Sequence, residues 1–177
     1  MQRAIKYLAN ALLTAVIFTS CGDNVSLQRY YVDNQESKNF ISQDLPLSLI
    51  ELDKSNFTEA QKEAYNSVNK LNFLGYKVNE TDTETYLAEL AKVKTILSDS
   101  KYNGLMEFSD KGNKISVKYI GTDEEADEVI VFGSAKDMGF GIVRILGDDM
   151  NPDKMVTLIS AFQNANIEEG QIENIMN

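Results

Sequence analysis

The sequence predicts an α+β fold, in which an antiparallel meander sheet carries amphipathic helices packed on one face. Two observations lead to this expectation. Between Leu105 and Gly147, four segments with strand character follow one another through short, turn-rich links, which is the order of a meander. Segments with helical periodicity lie before and after them, as expected for an α+β domain.

The predicted helices begin at recognisable caps. Thr58 and Gln61 have the spacing of a capping box at the start of TEAQKEAYNSVNKL, and Thr81 and Glu84 have it at the start of TDTETYLAELAKVKTILSDS. Apolar residues in the second of these helices recur every three or four positions, which predicts that one side packs on the sheet. The recurring residues are Tyr86, Leu90, Val93 and Leu97, with Leu87 and Ile96 beside them.

The strands are predicted from alternation. FISQDLPLSLIELDKSNF, which Pro46 breaks, suits a short strand or coil that leads into a short helix. NFLGYKV suits a strand, and KISVKYI alternates Ile115, Val117 and Tyr119 with polar side chains. Because successive strand residues point to opposite faces, these three should lie toward the helices. The polar face should meet water, and it consists of Lys114, Ser116 and Lys118.

The first twenty residues have the pattern of a secretory signal peptide. Arg3 and Lys6 are the charges in this segment, and a mostly apolar run extends from Tyr7 to Phe18. The run is shorter than the roughly 20 apolar residues needed to cross a bilayer. A basic segment followed by a short apolar core is typical of secretory signals.

Cys21, the one cysteine of the chain, directly follows this run in the stretch FTSC. The stretch resembles the lipobox of bacterial lipoproteins, in which the cysteine becomes the first mature residue and carries acyl chains, although Phe18 stands where leucine is usual. A lone cysteine cannot form an internal disulfide, and acylation would remove its thiol. We therefore expect Cys21 to be the lipidation site. The alternative is an ordinary secretory signal cleaved nearby, with Cys21 unmodified.

These features predict four segments along the chain. They are a lipoprotein signal peptide at 1–20, a lipid-anchored polar tether at 21–38, a single α+β domain at 39–166 and a polar C-terminal tail at 167–177. Within the tether, Tyr30, Tyr31 and Val32 offer an alternative, because such residues can pack on the edge of a domain.

The acidic balance limits the partners. The formal net charge is −10, and an acidic protein is repelled by phosphate backbones and anionic headgroups. We expect no nucleic acid partner, and we expect membrane association through the lipid anchor. The expected location is the cell envelope at the outer membrane, facing either the periplasm or the surface. An envelope protein is a candidate partner, and the sequence identifies no ligand.

Several chemistries are excluded by residue type. Histidine is absent, which removes histidine-based acid–base or nucleophilic catalysis and histidine-ligated metals. The stretch GNKIS lacks the spacing of a phosphate-binding loop. No catalytic residue, no cofactor, no cofactor-binding residue and no metal ligand is predicted.

Two acidic stretches partly resemble calcium sites. Asp149, Asn151 and Asp153 have the alternate spacing of a calcium loop, but the sixth and twelfth positions lack its glycine and glutamate. A helix start with Asn151 as cap and Pro152 at the first helical position is the favoured interpretation. Residues 123–128, DEEADE, are interpreted as a solvated hairpin loop. A glycosidase-like pair of carboxylates cannot be nominated from the sequence.

The segment from about Leu71 to Gln163 resembles a family of small lipoproteins from the Bacteroidetes, catalogued as a domain of unknown function (number 4252). The resemblance lies in the order of a strand, the helix TYLAELAKVKTIL, the stretches YNGLMEFSDKGNKISVKYI, DEVIVFGSA and FGIVRILGDDM, and a closing helix. It covers over half of the chain and agrees with the lipobox. It implies no catalytic residues, because the family has no assigned activity.

Two functional hypotheses follow. The favoured one is a non-enzymatic envelope lipoprotein that acts as a binding or structural module. The alternative is a carboxylate-dependent hydrolase or glycan-binding protein, which would need acidic side chains converging in a cleft beside exposed aromatic residues. Tyr102 and Phe108 bracket the first strand of the meander and are aromatic, but they are assigned to the core.

Overall fold

The computed structural model describes residues 25–47, 54–78, 82–110, 113–135 and 138–164. Its helices are α1 (Leu27–Asn34), α2 (Glu59–Ser67), α3 (Thr83–Leu97) and α4 (Pro152–Asn164), with a 3₁₀ turn at Lys54–Asn56. Its strands are β1 (Phe40–Pro46), β2 (Val68–Lys77), β3 (Asn103–Asp110), β4 (Asn113–Gly121), β5 (Ala126–Ala135) and β6 (Gly139–Met150). The predicted signal peptide, Cys21, the turn at residues 111–112 and the C-terminal tail lie outside the described residues.

The strands form one antiparallel sheet in the order β1-β2-β6-β5-β4-β3. Strands β3 to β6 are sequential neighbours, so the predicted meander is confirmed. Strand β2 pairs with β6, and β1 pairs with β2, so the first two strands extend the meander beyond its last strand. The predicted α+β class is therefore confirmed, and β1 and β3 are the two edges of this sheet.

Both faces of the sheet are buried, which differs from the predicted one-sided arrangement. Along β5, Ile130 belongs to one hydrophobic core, and its neighbour Val129 belongs to another. Helices α1 and α3 cover the first core, which we call the α1/α3 face, and α2 and α4 cover the second, the α2/α4 face. The prediction missed this because it relied on the clean alternation of β4 and did not weigh the nearly continuous apolar runs of β5 and β6.

Strand β4 shows how far the alternation was informative. Val117 and Tyr119 are buried on the α2/α4 face, as predicted for residues that point toward helices. On the opposite face Lys114 is exposed, but Ser116 and Lys118 are half-buried. The polar side of β4 therefore does not simply meet water.

Helix α1 lies within the segment predicted to be a tether. Its Ser26 cap accepts a hydrogen bond from the backbone N–H of Arg29 at 3.1 Å. Leu27, Tyr30 and Tyr31 are buried in the core of the α1/α3 face. Residues 27–34 therefore belong to the folded domain, and the predicted tether at 21–38 is corrected to a shorter link. Large aromatic side chains can supply this burial even in a helix that is polar on average.

Helix α2 confirms its predicted start and corrects its predicted end. Thr58 and Gln61 form the complete capping box. The helix ends at Ser67, and β2 begins at once with Val68, because Val68 and Leu71 bury on the sheet and not on the helix. The joint is tight, since a Cβ on Gly147 would lie 1.9 Å from the carbonyl oxygen of Ser67.

Helix α3 packs as its periodicity predicts. Tyr86, Val93, Ile96 and Leu97 are buried, whereas Leu87 is 55% exposed. Its N-cap is Asp82, without a side-chain capping bond, and the predicted partner Thr81 lies outside the described residues. Among the described residues, no helix is both long and apolar enough to span a membrane.

A matched pair of leucines tests the two-sided core. Leu74→Ala removes a side chain with no solvent exposure, so we expect a loss of about 2–5 kcal/mol in the free energy of unfolding. Leu87→Ala makes the same change at an exposed site and should cost less than about 0.5 kcal/mol. Urea unfolding followed by circular dichroism measures both, and equal losses would contradict the assigned burial.

Candidate functional site

A row of polar residues crosses the α1/α3 face from the β1 edge toward the centre of the sheet. Asp44 on β1 lies opposite Asn72 on β2, and Asn72 lies opposite Arg144 on β6. Glu128 on β5 completes the group through its contact with Arg144. We call these four residues the polar row. It is a polar stretch on a face that is otherwise lined with apolar side chains.

Arg144 and Glu128 form a bidentate ion pair. The Nε of Arg144 donates to Oε1 of Glu128 at 2.6 Å, and its Nη2 donates to Oε2 at 2.9 Å. Both residues are buried, with 7% and 8% of their surface exposed. The hydrogen bonds and the charge of Glu128 raise the pKa of Arg144 above its usual value. Such a pair is strongly unfavourable to break, because either partner alone would be a buried, uncompensated charge.

Tyr31 joins the polar row to α1. Its hydroxyl donates to the backbone carbonyl of Phe73 at 2.9 Å and lies 2.8 Å from the hydroxyl of Ser42. Its ring centroid is 5.9 Å from the guanidinium carbon of Arg144, within the range of a cation–π contact. Burial raises the pKa of Tyr31. Helix α1 is therefore positioned over the polar row by directional contacts as well as by apolar packing.

The polar row is satisfied by its own members. The buried amide of Asn72 donates to the carboxylate of Asp44, and the donors of Arg144 are directed at Glu128. In the part of the chain that the structure describes, no buried side-chain nitrogen or oxygen is without a hydrogen-bond partner. A guanidinium already engaged in this way is poorly suited to capture an anion, so the arrangement is best suited to holding the strands and α1 together.

Two tyrosine–carboxylate contacts connect α3 to the rest of the same face. Tyr30 on α1 donates to Glu89 at 2.8 Å, and Tyr76 on β2 donates to Asp82 at 2.9 Å. Burial, followed by these hydrogen bonds, raises the pKa of both phenols, that of Tyr76 to about 12. The ring of Tyr76 also stacks on Phe140, with centroids 5.6 Å apart.

The α2/α4 side carries a small depression of about 70 Å³. Its lining residues are Glu63, Ala64, Ser67, Asp149, Asn151 and Lys154. The ammonium of Lys154 pairs with the carboxylate of Glu63. Sites for drug-sized ligands span roughly 300–1,000 Å³, so this depression has room for a few water molecules and not for a sugar ring with its neighbours.

The two acidic stretches have different outcomes. Oδ1 of Asn151 accepts a hydrogen bond from the backbone N–H of Lys154 at 3.0 Å, and α4 begins at Pro152, which confirms the capped helix start. In DEEADE, Asp123 accepts from the hydroxyl of Tyr119 at 2.6 Å, but Glu128 is buried in the ion pair. The solvated-loop prediction is therefore wrong for Glu128. Among the described residues, no group of three or more cysteine or acidic side chains could hold a metal ion.

The core assignment of Tyr102 and Phe108 is confirmed. Tyr102 is 4% exposed, and its hydroxyl accepts a hydrogen bond from the backbone N–H of Leu27 at 3.0 Å. Phe108 is half-buried against the core of the α2/α4 face. Tyr102 thus ties the beginning of α1 to the turn that precedes β3.

Arg144 and Glu128 were not predicted as site residues from the sequence. A signal was present, because Arg144 interrupts the apolar run IVRIL and Glu128 precedes the apolar run VIV. Charged residues are almost never fully buried unless they are paired. The pairing itself depends on a register that places the two residues close together across β5 and β6, and this cannot be taken from either stretch alone.

The fold and site define an α+β domain whose sheet is covered by helices on both faces, with a buried ion pair beneath α1 on one of them. The family model described as "Domain of unknown function (DUF4252)" matches residues 30–158, so the chain belongs to this family. The match begins within α1 and ends within α4, and it therefore includes helices from both faces. No curated protein and no solved structure matches the chain.

The buried ion pair can be tested by a double-mutant cycle. Arg144→Met and Glu128→Leu should each lower the free energy of unfolding by about 3–5 kcal/mol, because each leaves one buried charge unpaired. The double variant should be more stable than either single variant. Urea unfolding of the full set gives the coupling energy.

The matched control is the exposed pair Lys62 and Glu59 on α2, whose charged atoms are 2.8 Å apart. Lys62→Met should change the free energy of unfolding by less than about 1 kcal/mol, because solvent screens exposed pairs. Losses of similar size at both pairs, or a double variant at residues 128 and 144 as unstable as the sum of its singles, would contradict the proposed coupling.

The raised pKa of Tyr76 predicts a loss of stability at alkaline pH. In the unfolded chain this phenol ionises near pH 10, whereas in the folded protein it ionises at about 12. Between these values the phenol of Tyr76 keeps its proton in the folded state and loses it in the unfolded state. The contribution of Tyr76 to the free energy of unfolding is therefore fully present below pH 10 and is lost as the pH rises toward 12. Tyr76→Phe cannot ionise, so its stability deficit relative to wild type should shrink across this window. Urea unfolding at several pH values measures it, and a constant deficit would contradict the assignment.

Proposed function

We propose that this protein is a lipid-anchored lipoprotein of the cell envelope, tethered to the outer membrane through acylated Cys21. The observation that carries the proposal is the position of Cys21, the chain's one cysteine, directly after a secretory signal pattern that ends in FTSC. Acylation would use the thiol that an oxidising compartment would otherwise leave reactive. Several acyl chains give firm attachment, at about 0.8 kcal/mol for each buried CH₂.

Two further features support this proposal. The family match and the order of parts are in keeping with the small lipoproteins of the Bacteroidetes that the sequence resembles. The first helix of the domain begins at Leu27, so a folded body follows Cys21 after only a short link. Both features suit a domain that is displayed at a membrane surface.

We propose further that the domain is a non-enzymatic binding or structural module. Within the polar row, Arg144 pairs with Glu128, and Asn72 donates to Asp44. Because the buried groups of the row bind its own members, we assign them a role in stabilising the fold. The depression beside Glu63 and Lys154 is too small for an envelope saccharide. An envelope protein is the proposed partner.

The lipid anchor can be tested by metabolic labelling with a fatty acid, followed by membrane fractionation. Wild type should carry label and remain with the membranes, and Cys21→Ala should lose both properties. Ser20→Ala keeps a small residue at the position before the cysteine and serves as the matched control, which should still be labelled. An unlabelled wild-type protein in the soluble fraction would refute the lipoprotein proposal.

A further inference from the structure

The length of the link between the proposed anchor and the domain is fixed by where α1 begins. Residues 22–26 separate Cys21 from Leu27, and Leu27 is 1% exposed in the core. Fully extended, this link reaches at most about 20 Å. The link cannot lengthen unless α1 detaches from the sheet. Helix α1 is held by its buried side chains, by the backbone N–H of Leu27 bound to Tyr102, and by the hydroxyls of Tyr30 and Tyr31 bound to Glu89 and to the carbonyl of Phe73.

The beginning of α1 lies at one end of the sheet. Tyr102 contacts Leu27 and precedes the first residue of β3, and Asn103 lies opposite Tyr119 near the end of β4. We call this part of the α1/α3 face the near end. The opposite end of the sheet carries the turn between β5 and β6, where Met138 is 64% exposed.

Distances favour one orientation. Strand β6 has 12 residues and spans roughly 40 Å from the Met138 turn to the near end. A link of about 20 Å therefore keeps the near end close to the headgroups and leaves the far end mostly away from them. The attachment of the link at the near end therefore favours an orientation in which this end is closer to the membrane than the Met138 turn.

The side chains at the near end suit a headgroup surface. Lys94 lies in the last turn of α3, Lys101 is exposed beside the ring of Tyr102, and Lys118 donates to the carbonyl of Tyr102 at 3.4 Å. A lysine near an anionic bilayer is attracted to the headgroups. Val25, which is 51% exposed, adds an apolar side chain next to the link.

The loop between β4 and β5, at the same end of the sheet, carries acidic side chains beside the α2/α4 face. Asp123 is bound by Tyr119, which belongs to the α2/α4 face, and Glu124 and Glu125 follow it in the exposed loop. On the lysine side, the carboxylate of Asp99 accepts from the backbone N–H of Lys101, and the buried Glu128 is paired with Arg144. Lys94, Lys101 and Lys118 thus lie on or beside elements of the α1/α3 face, from which the link departs.

We propose that the near end, formed by Val25, Lys94, Lys101 and Lys118, is a membrane-facing surface that rests on the headgroups of the bilayer holding the anchor. The proposal rests on the lipoprotein function proposed above.

The experiment uses the mature lipoprotein in nanodiscs that contain anionic lipid and a headgroup-linked fluorescence quencher. Lys101→Cys and Met138→Cys each introduce one thiol for a fluorophore, since acylation occupies the only native cysteine. The probe at position 101 should be quenched several-fold more strongly than the probe at position 138. Equal quenching, or stronger quenching at position 138, would overturn the orientation.

Two further variants distinguish the effect of link length from the effect of the lysine charges. A flexible insert of about ten residues between Asn24 and Val25 lengthens the link by up to about 35 Å and should weaken quenching at position 101. Lys94→Gln together with Lys118→Gln should also weaken it at low salt. Quenching unchanged by the paired lysine changes would overturn the headgroup contact.

Failure of the anchor is distinguishable from failure of the orientation. If Cys21 is not acylated, wild-type protein will react with the fluorophore and will not co-purify with nanodiscs, and the lipoprotein proposal fails. If wild-type protein is unreactive and membrane-bound, but the probes at positions 101 and 138 are quenched alike, the anchor stands and the membrane-facing surface is rejected.

Discussion

The structure depends on one constraint, which is that a sheet with apolar side chains on both faces must be covered twice. Leu74 and Ile142 have no solvent exposure on the α1/α3 face, and Val117 and Val129 have none on the α2/α4 face. Each such side chain gains roughly 1.5–3 kcal/mol on burial, so leaving either face open would remove much of the stability of a small domain. Helix α1 is therefore an integral part of this domain, which needs it to cover the α1/α3 face.

The ion pair favours one register of β6 against β5 in this sheet, which is covered on both faces. Along β6, Arg144 stands between Val143 and Ile145, whose side chains point to the other core. A slip of one residue would turn Arg144 into that core and away from Glu128, since side chains alternate with a period of two. The cost of an unpaired buried charge then opposes the slipped pairing. The same guanidinium lies beside the ring of Tyr31, so the register of β6 and the position of α1 are specified together.

Much of the fold could be predicted from the sequence, because local signals were strong. The capping box at Thr58, the start of α4 at Pro152 and the meander from β3 to β6 each depend on residues that are close in the chain. The covering of the second face could not be predicted from β4, whose alternation reports on a strand near the edge of the sheet. The apolar runs of β5 and β6 carried that information, since strands buried on both faces lose their alternation.

The candidate site was less predictable, because it depends on contacts between distant parts of the chain. Tyr31 meets the carbonyl of Phe73, and Tyr102 meets the N–H of Leu27, at separations of 42 and 75 residues. The composition of LQRYYVDN suggests a polar linker, and its burial becomes understandable only once the sheet face that needs covering is known.

Helix α1 connects the proposed membrane anchor to the core of the domain. In a lipid-anchored chain, a force on the anchor would reach the core through Leu27, which is the first residue of α1 and is buried. The hydrogen bond from the backbone N–H of Leu27 to Tyr102 connects α1 to the turn before β3. The contacts of the Tyr31 hydroxyl with Ser42 and with the carbonyl of Phe73 connect it to β1 and β2. A helix attached only by apolar contacts could slide under such a load, whereas directional hydrogen bonds and a buried charge resist sliding. In such a chain, the polar row beneath α1 would help to hold the helix in place against a force on the anchor.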